Sequence, residues 1–260
     1  MSWWGKVIGG GLGFMMGGPV GAVMGAAFGQ YFDRGFSSIQ RDESLGYGST
    51  ERVQTVFFTS VFAIMGHVAK SDGRVTADEI EIAQTVMRQM NLSDNQRKVA
   101  INLFNEGKKE GFPAQEVLAQ FKQECGRRRN LIRMFLEIQI ATAFADGNLH
   151  QLERGVLSYI AQELNFSHDE FNDLLSRMSG QAHFIEQNAV EEKLPAAYEL
   201  LGVDASADMP TVKKAYRRQM NQYHPDKLVA KGLPEEMMEV ATRKTQDIKA
   251  AYELIKSQRS

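Results

Sequence analysis

The chain has 260 residues, and its 30 Lys and Arg side chains against 32 Asp and Glu give a net charge of -2 at neutral pH. This balance excludes a basic nucleic-acid-binding protein, so any electrostatic partner must be attracted by a local patch. A single cysteine, Cys125, excludes an intrachain disulfide and a cysteine-cluster zinc site, and its sequence context predicts a buried apolar residue and not a catalytic thiol.

The first predicted element is a membrane span. Val7 to Phe32 is a run of 26 residues without a charge, and a helix across a bilayer needs about 20 apolar residues. Glycine weakens a helix in water, but hydrocarbon enforces internal hydrogen bonding and tolerates it. We therefore predict a single transmembrane helix within an anchor of residues 1–33. A cleaved signal peptide is the competing interpretation, although the run is long and glycine-broken for one.

The anchor carries a regular glycine stripe, which lets a second helix approach closely. Its members are Gly5, Gly9, Gly13, Gly17, Gly21, Gly25 and Gly29. The stripe predicts a homodimer through the transmembrane helix, and nonspecific packing of small residues is the alternative. Arg34, Arg41 and Arg52 follow the span whereas only Lys6 precedes it, which favours a periplasmic N-terminus and cytoplasmic C-terminal domains.

The middle of the chain is predicted to be an all-α domain with an internal repeat. Residues 34–52 are polar and aperiodic, which predicts a linker, and residues 53–178 have apolar residues at helical spacing. Shifting the sequence by 74 residues aligns Asp72-Gly73 with Asp146-Gly147, and Asn91-Leu92-Ser93 with Asn165-Phe166-Ser167. Each repeat is therefore a helix, an Asp-Gly turn, a helix and an Asn-x-Ser turn.

The two Asp-Gly turns have two interpretations. Each resembles the second half of an EF-hand loop, but the positions of the first carboxylates hold other residues, which argues against a standard EF-hand. One interpretation is that Asp-Gly ends a helix and the next residues cap its successor. The other is a nonstandard cation or partner site made by Asp72, Glu79, Asp146 and Glu153. The two-repeat helical pattern with paired acidic turns resembles TerB-like domains associated with tellurite resistance, whose acidic cluster has been regarded as a candidate metal site.

Beyond an acidic connector at residues 179–193, residues 194–260 are predicted to form three helices. Pro195 starts the first, Asp208 caps a second that runs from Met209 to Gln222, and the third runs from Pro234 to Ser257. The second helix has a local charge of +4 and no acidic residue. Its four cations are Lys213, Lys214, Arg217 and Arg218.

The tetrapeptide His224-Pro225-Asp226-Lys227 follows this basic helix. With KKAYRRQMNQY before it and DIKAAYELI after it, the segment resembles a J-domain, the module by which DnaJ-type co-chaperones engage Hsp70. The resemblance implies that His224, Pro225 and Asp226 form the loop that acts on the Hsp70 ATPase domain. It further implies a basic binding face of Lys213, Lys214, Arg217, Arg218 and Lys227, supported by Tyr216. Thr245 departs from the family, in which many members have an aromatic packing residue at that position.

Together, the glycine-rich anchor, the TerB-like middle domain and the J-domain hairpin resemble the membrane-anchored DnaJ-like co-chaperones of Gram-negative bacteria. The resemblance implies a single-pass inner-membrane co-chaperone of a DnaK-type Hsp70, with the lipid bilayer and Hsp70 as partners and no cofactor. A membrane signalling or scaffold protein with a cation- or partner-sensing TerB-like domain is the alternative. An enzyme is not expected, because the five histidines show no metal-ligand spacing and no nucleophile-base pattern.

Overall fold

The computed structural model describes residues 49–71, 84, 87, 88, 90, 92–144, 149–186 and 190–259. Within these residues all regular structure is helical, as predicted. The first group of helices is α1 Ser49–Ala69, α2 Asp94–Gly107, α3 Ala114–Cys125, α4 Arg129–Ala143, α5 Gln151–Glu163 and α6 His168–Glu186. The second group is α7 Val190–Leu201, α8 Met209–Tyr223, α9 Pro225–Val229 and α10 Met238–Gln258, with a 3₁₀ turn at Glu235–Met237.

Two groups of predictions lie outside the described residues. One is the anchor with its glycine stripe, and the other comprises Asp72, Glu79 and Asp146 of the acidic turns. Among the helices of the described ranges, none combines the length and the apolar character needed to cross a bilayer.

Helix α1 forms the centre of the middle domain. It packs against α2, α3 and α4, and its apolar residues cover the whole helix circumference, as expected of a buried helix. Phe57 lies beside two aromatic rings, with ring centroids 5.9 Å from Phe121 and 6.3 Å from Phe135. Helices α1 and α2 are in backbone contact where they cross, because a Cβ at Gly107 would overlap the carbonyl oxygen of Ala63.

The two Asn-x-Ser turns predicted by the repeat form the same capping box. Ser93 Oγ accepts from Gln96 N at 3.4 Å, and Ser93 N donates to Gln96 Oε1 at 3.0 Å. In the second copy, Ser167 Oγ accepts from Glu170 N at 3.2 Å and Ser167 N donates to Glu170 Oε2 at 2.9 Å. Each box satisfies two backbone groups at a helix start, so α2 and α6 begin in equivalent ways.

Described helices overlap both predicted linkers. Helix α1 begins at Ser49, inside the predicted 34–52 linker, and most of the predicted 179–193 connector is helical because α6 continues to Glu186 and α7 starts at Val190. Helix α7 therefore starts before Pro195, which lies within it. The physical reason is packing: α6 and α7 lie against each other and extend the helical structure past the point where the sequence pattern weakens.

The C-terminal hairpin consists of α8 and α10, which pack against each other and, together with α7, enclose a small core. Asp208 caps α8 as predicted, accepting from Thr211 N at 3.0 Å. Thr245, which replaces the aromatic residue common in the family, is buried, and its hydroxyl donates to the Thr242 carbonyl at 2.8 Å. The hydroxyl of Thr245 is therefore hydrogen-bonded within α10.

Candidate functional site

The loop that follows α8 owes its shape to a proline at a helix start. Helix α8 ends at Tyr223, and His224 then adopts φ -57° and ψ 122°, which ends one helix and precedes the next. Pro225 occupies the first turn of α9, where its fixed φ and missing N–H are compatible with a helix. The N–H of Leu228 donates to the His224 carbonyl at 3.1 Å and closes the turn.

The side chains of this loop face solvent. The side chain of His224 is 47% exposed and that of Asp226 is 86% exposed, and the closest nitrogen–oxygen approach between them, Nδ1 to Oδ2, is 4.0 Å. The Asp226 carboxylate is therefore available to a donor or cation on another molecule. Such an exposed acid at the tip of a proline-constrained turn suits recognition by a partner, whereas a catalytic acid needs a substrate pocket around it.

The predicted basic face is present along α8. Val212, Ala215 and Gln219 face inward and are buried, so the opposite side of the helix is left to its charged residues. Those that are exposed are Lys213, Lys214, Arg217 and Arg218, with Lys227 just beyond the loop. The structure thus brings all the predicted cations to one continuous surface that ends at His224-Pro225-Asp226.

Two further contacts shape this surface. Tyr216 is half-buried and stacks on Tyr252 of α10, with ring centroids 4.3 Å apart and planes inclined by 16°. Lys227 Nζ donates to Asn221 Oδ1, which ties the residue after the loop to the last turn of α8. Tyr216 therefore joins α8 to α10, and its support of a contact with Hsp70 stays a prediction.

Three family models match the chain in succession. The model described as "Co-chaperone DjlA transmembrane domain" matches residues 1–44, "Tellurite resistance protein TerB" matches 58–176, and "DnaJ domain" matches 196–260. The co-chaperone protein DjlA of Photobacterium profundum is 43% identical over 98% of this chain and 99% of its own length. The DjlA proteins of Escherichia coli K12 and Salmonella typhimurium are each 44% identical over 100% of this chain and 99% of theirs.

The chain belongs to the DjlA co-chaperone family. No solved structure matches it. The predicted TerB-like domain, J-domain and transmembrane domain are confirmed, and the match at the N-terminus favours a membrane anchor over a cleaved signal peptide. With a DnaJ domain and relatives named co-chaperones, the chain has a J-domain co-chaperone role.

Of the four acidic candidates in the TerB-like domain, only Glu153 is described. It is buried and accepts from the backbone N–H of His150 at 3.0 Å, as part of the capping box that begins α5. This geometry fits the capping interpretation of the second Asp-Gly turn. No group of three or more His, Cys, Asp or Glu side chains suited to a metal ion occurs among the described residues.

Sequence reasoning missed three residues behind the loop that the structure brings together. The Tyr223 hydroxyl donates a hydrogen bond to Glu137 Oε1 of α4, and Lys244 Nζ of α10 lies 3.5 Å from Glu137 Oε2. Burial, followed by the adjacent Glu137 carboxylate, raises the pKa of the Tyr223 hydroxyl well above its ordinary value. The one signal in the sequence was an acid at position 137 inside the apolar run LIRMFLEIQIATA.

Proposed function

We propose that this DjlA-family chain binds a DnaK-type Hsp70 through its J-domain and stimulates ATP hydrolysis by that partner at the cytoplasmic face of the inner membrane. One observation carries the proposal: the His224-Pro225-Asp226 loop is exposed at the end of a helix whose cations are all on its exposed side. The chemistry of hydrolysis belongs to the partner, and this chain contributes recognition.

The basic face and the loop have different tasks in this proposal. Exposed charges attract an acidic partner surface, and they mainly set the association rate and the register of the complex. The loop side chains are desolvated on binding, so Asp226 can exchange water for polar groups of the partner. Stimulation therefore depends on the loop, whereas encounter depends on Lys213, Lys214, Arg217, Arg218 and Lys227.

The anchor restricts where this happens. The transmembrane-domain match covers residues 1–44, and three arginines follow the predicted span whereas one lysine precedes it. The positive-inside rule therefore supports a cytoplasmic position for the J-domain, where a DnaK-type Hsp70 has access to it. The glycine stripe supports a homodimer within the bilayer, which would place two J-domains at one site.

The decisive experiment compares two histidine variants of the full chain in detergent micelles. We expect His224→Gln to abolish stimulation of single-turnover ATP hydrolysis by DnaK, because it alters the loop that contacts the partner. His183→Gln is the matched control, since His183 is an exposed histidine of α6, outside the loop. Equal stimulation by His224→Gln and the wild type would overturn the proposed mechanism.

A further inference from the structure

The TerB-like domain contacts the J-domain on both sides of the loop. The first contact lies on the N-terminal side of the loop. Tyr223 directly precedes His224, is 1% exposed and donates a hydrogen bond to Glu137 of α4. The carbonyl of the preceding residue, Gln222, accepts from Asn130 Nδ2 at 3.2 Å. Two successive residues at the end of α8 therefore contact the same helix of the TerB-like domain.

A second contact lies on the C-terminal side of the loop and involves α1. Gln54 Nε2 donates to the carbonyl of Leu233 at 3.4 Å. Gly232 has φ +93°, and a Cβ built there would lie 2.6 Å from Val53 Cγ1, so this turn lies directly on α1. The chain therefore contacts α4 directly before the loop and contacts α1 at the Gly232-Leu233 turn that follows it.

The buried ion pair at this interface has one partner from each domain. Glu137 is buried, with its Oε2 atom 3.5 Å from Lys244 Nζ, and Lys244 also donates to Gln181 Oε1 of α6 at 2.6 Å. A buried carboxylate is costly unless it is paired and hydrogen-bonded. The J-domain supplies the cation, Lys244, and the hydroxyl donor, Tyr223, that pair with Glu137. This is therefore a specific contact between the domains.

The same contact leaves the partner-binding surface uncovered. The TerB-like domain lies against Tyr223, whereas the cations of α8 are exposed and the Asp226 side chain is 86% exposed. A domain that blocked Hsp70 would bury these groups. The arrangement is therefore suited to positioning the loop and not to inhibiting it.

We infer that the TerB-like domain positions the His224-Pro225-Asp226 loop for Hsp70, with Glu137 as a positioning residue that acts through Tyr223. The inference rests on the proposed function and extends it to a residue outside the J-domain. Helix α1 follows the transmembrane domain in the chain and contacts the turn at Gly232 and Leu233 that follows α9, so the segment that carries the loop is tied to the membrane-proximal helix.

The test uses Tyr223→Phe in the full chain in detergent micelles, because this change removes the hydroxyl and keeps the ring. The basic face remains intact, so we expect maximal stimulation of DnaK to fall by about threefold or more, with the half-saturating concentration nearly unchanged. A loss of folded protein would do the reverse, raising the half-saturating concentration and preserving the maximum. Tyr159→Phe, at an exposed tyrosine of α5, is the matched control and should behave as the wild type.

A second pair of variants separates positioning from charge burial. Glu137→Gln leaves Lys244 without its carboxylate and should lower the maximum, whereas Glu137→Gln with Lys244→Gln keeps an acceptor for Tyr223 and removes both charges. We expect this double variant to recover at least half of the lost stimulation. Equal losses in the single and the double variant would overturn the role of the buried pair.

Hydrogen exchange distinguishes failure of the inference from failure of the proposed function. The amides of Leu228 and Leu233, which bond within the loop region, should exchange about tenfold faster in Tyr223→Phe than in the wild type. If the wild type does not stimulate DnaK, the proposed function is wrong. The hydrogen-exchange comparison then decides by itself whether the TerB-like domain orders the loop. Unchanged exchange and an unchanged maximum in Tyr223→Phe would overturn the inference.

Discussion

Two residues three positions apart, Tyr223 and Asp226, have opposite environments. Tyr223 is buried against Glu137, whereas the Asp226 side chain is almost fully in solvent. The change of direction comes from Pro225, which ends α8 and starts α9 without needing a backbone N–H. One proline therefore allows neighbouring residues to serve two surfaces, one internal and one for a partner.

Cys125 allows a prediction at the same scale. It is fully buried at the end of α3, and desolvation raises the pKa of its thiol to about 12. The thiolate is the reactive form, so between pH 7 and 9 the native thiol should stay protonated and unreactive, whereas an ordinary thiol would gain reactivity across this range. We expect alkylation by iodoacetamide to require denaturant at both pH values, measured by mass spectrometry. Rapid native alkylation that increases with pH would contradict this assignment.

At the level of elements, the stability of the TerB-like domain depends on how closely α1 and α2 approach. A side chain at Gly107 would overlap the Ala63 carbonyl, whereas nothing lies within 4 Å of a Cβ built at Gly155 in α5. Gly107 is the last residue of α2 and Gly155 lies inside α5, and only Gly107 is packed against a neighbouring backbone. Comparing them therefore contrasts a close helix crossing with an open helical site.

We predict opposite effects of the same substitution at these two glycines. Gly107→Ala should lower the free energy of unfolding by about 1–3 kcal/mol, because the helices must move apart. Gly155→Ala should raise it by up to about 1 kcal/mol, since alanine has the higher helix propensity at an open site. Urea unfolding of the full chain in detergent, followed by far-ultraviolet circular dichroism, gives both values. A stabilising Gly107→Ala would show that α1 and α2 are not in contact there.

On the scale of the whole molecule, positive charge is concentrated on the helix that precedes the His224-Pro225-Asp226 loop. The net charge of -2 hides the local charge of +4 on α8, and the structure exposes those four cations to solvent. The fields of exposed charges are screened over about 8 Å at physiological ionic strength. Association with an acidic partner should therefore depend on salt.

We expect the association rate with DnaK to fall by about tenfold between 0.05 and 0.5 M NaCl, with a smaller change in the dissociation rate. Lys213→Gln combined with Arg217→Gln should weaken this dependence, because it removes two cations of the face. Lys98→Gln combined with Lys109→Gln, at two exposed lysines of the TerB-like domain, is the control and should keep it. Stopped-flow kinetics measures both rates, and a salt-independent association rate would exclude electrostatic steering.

The sequence by itself determined the features that depend on short spacing. The basic helix, the His-Pro-Asp turn, the Asp208 cap and the repeated Asn-x-Ser turns each depend on residues a few positions apart, whose geometry the helix repeat dictates. For the same reason the helical fold class and the TerB-like and J-domain resemblances could be predicted before the structure was known.

Only the tertiary structure decided how the two domains meet. Glu137 and Tyr223 are 86 residues apart in the chain, and local patterns carry no information about that pairing. The extension of α6 and α7 into the predicted connector was decided in the same way, because burial between helices stabilises segments whose own periodicity is weak. Contacts of long sequence separation depend on the relative placement of whole helices, and this placement connects the loop of the J-domain to the domain behind it.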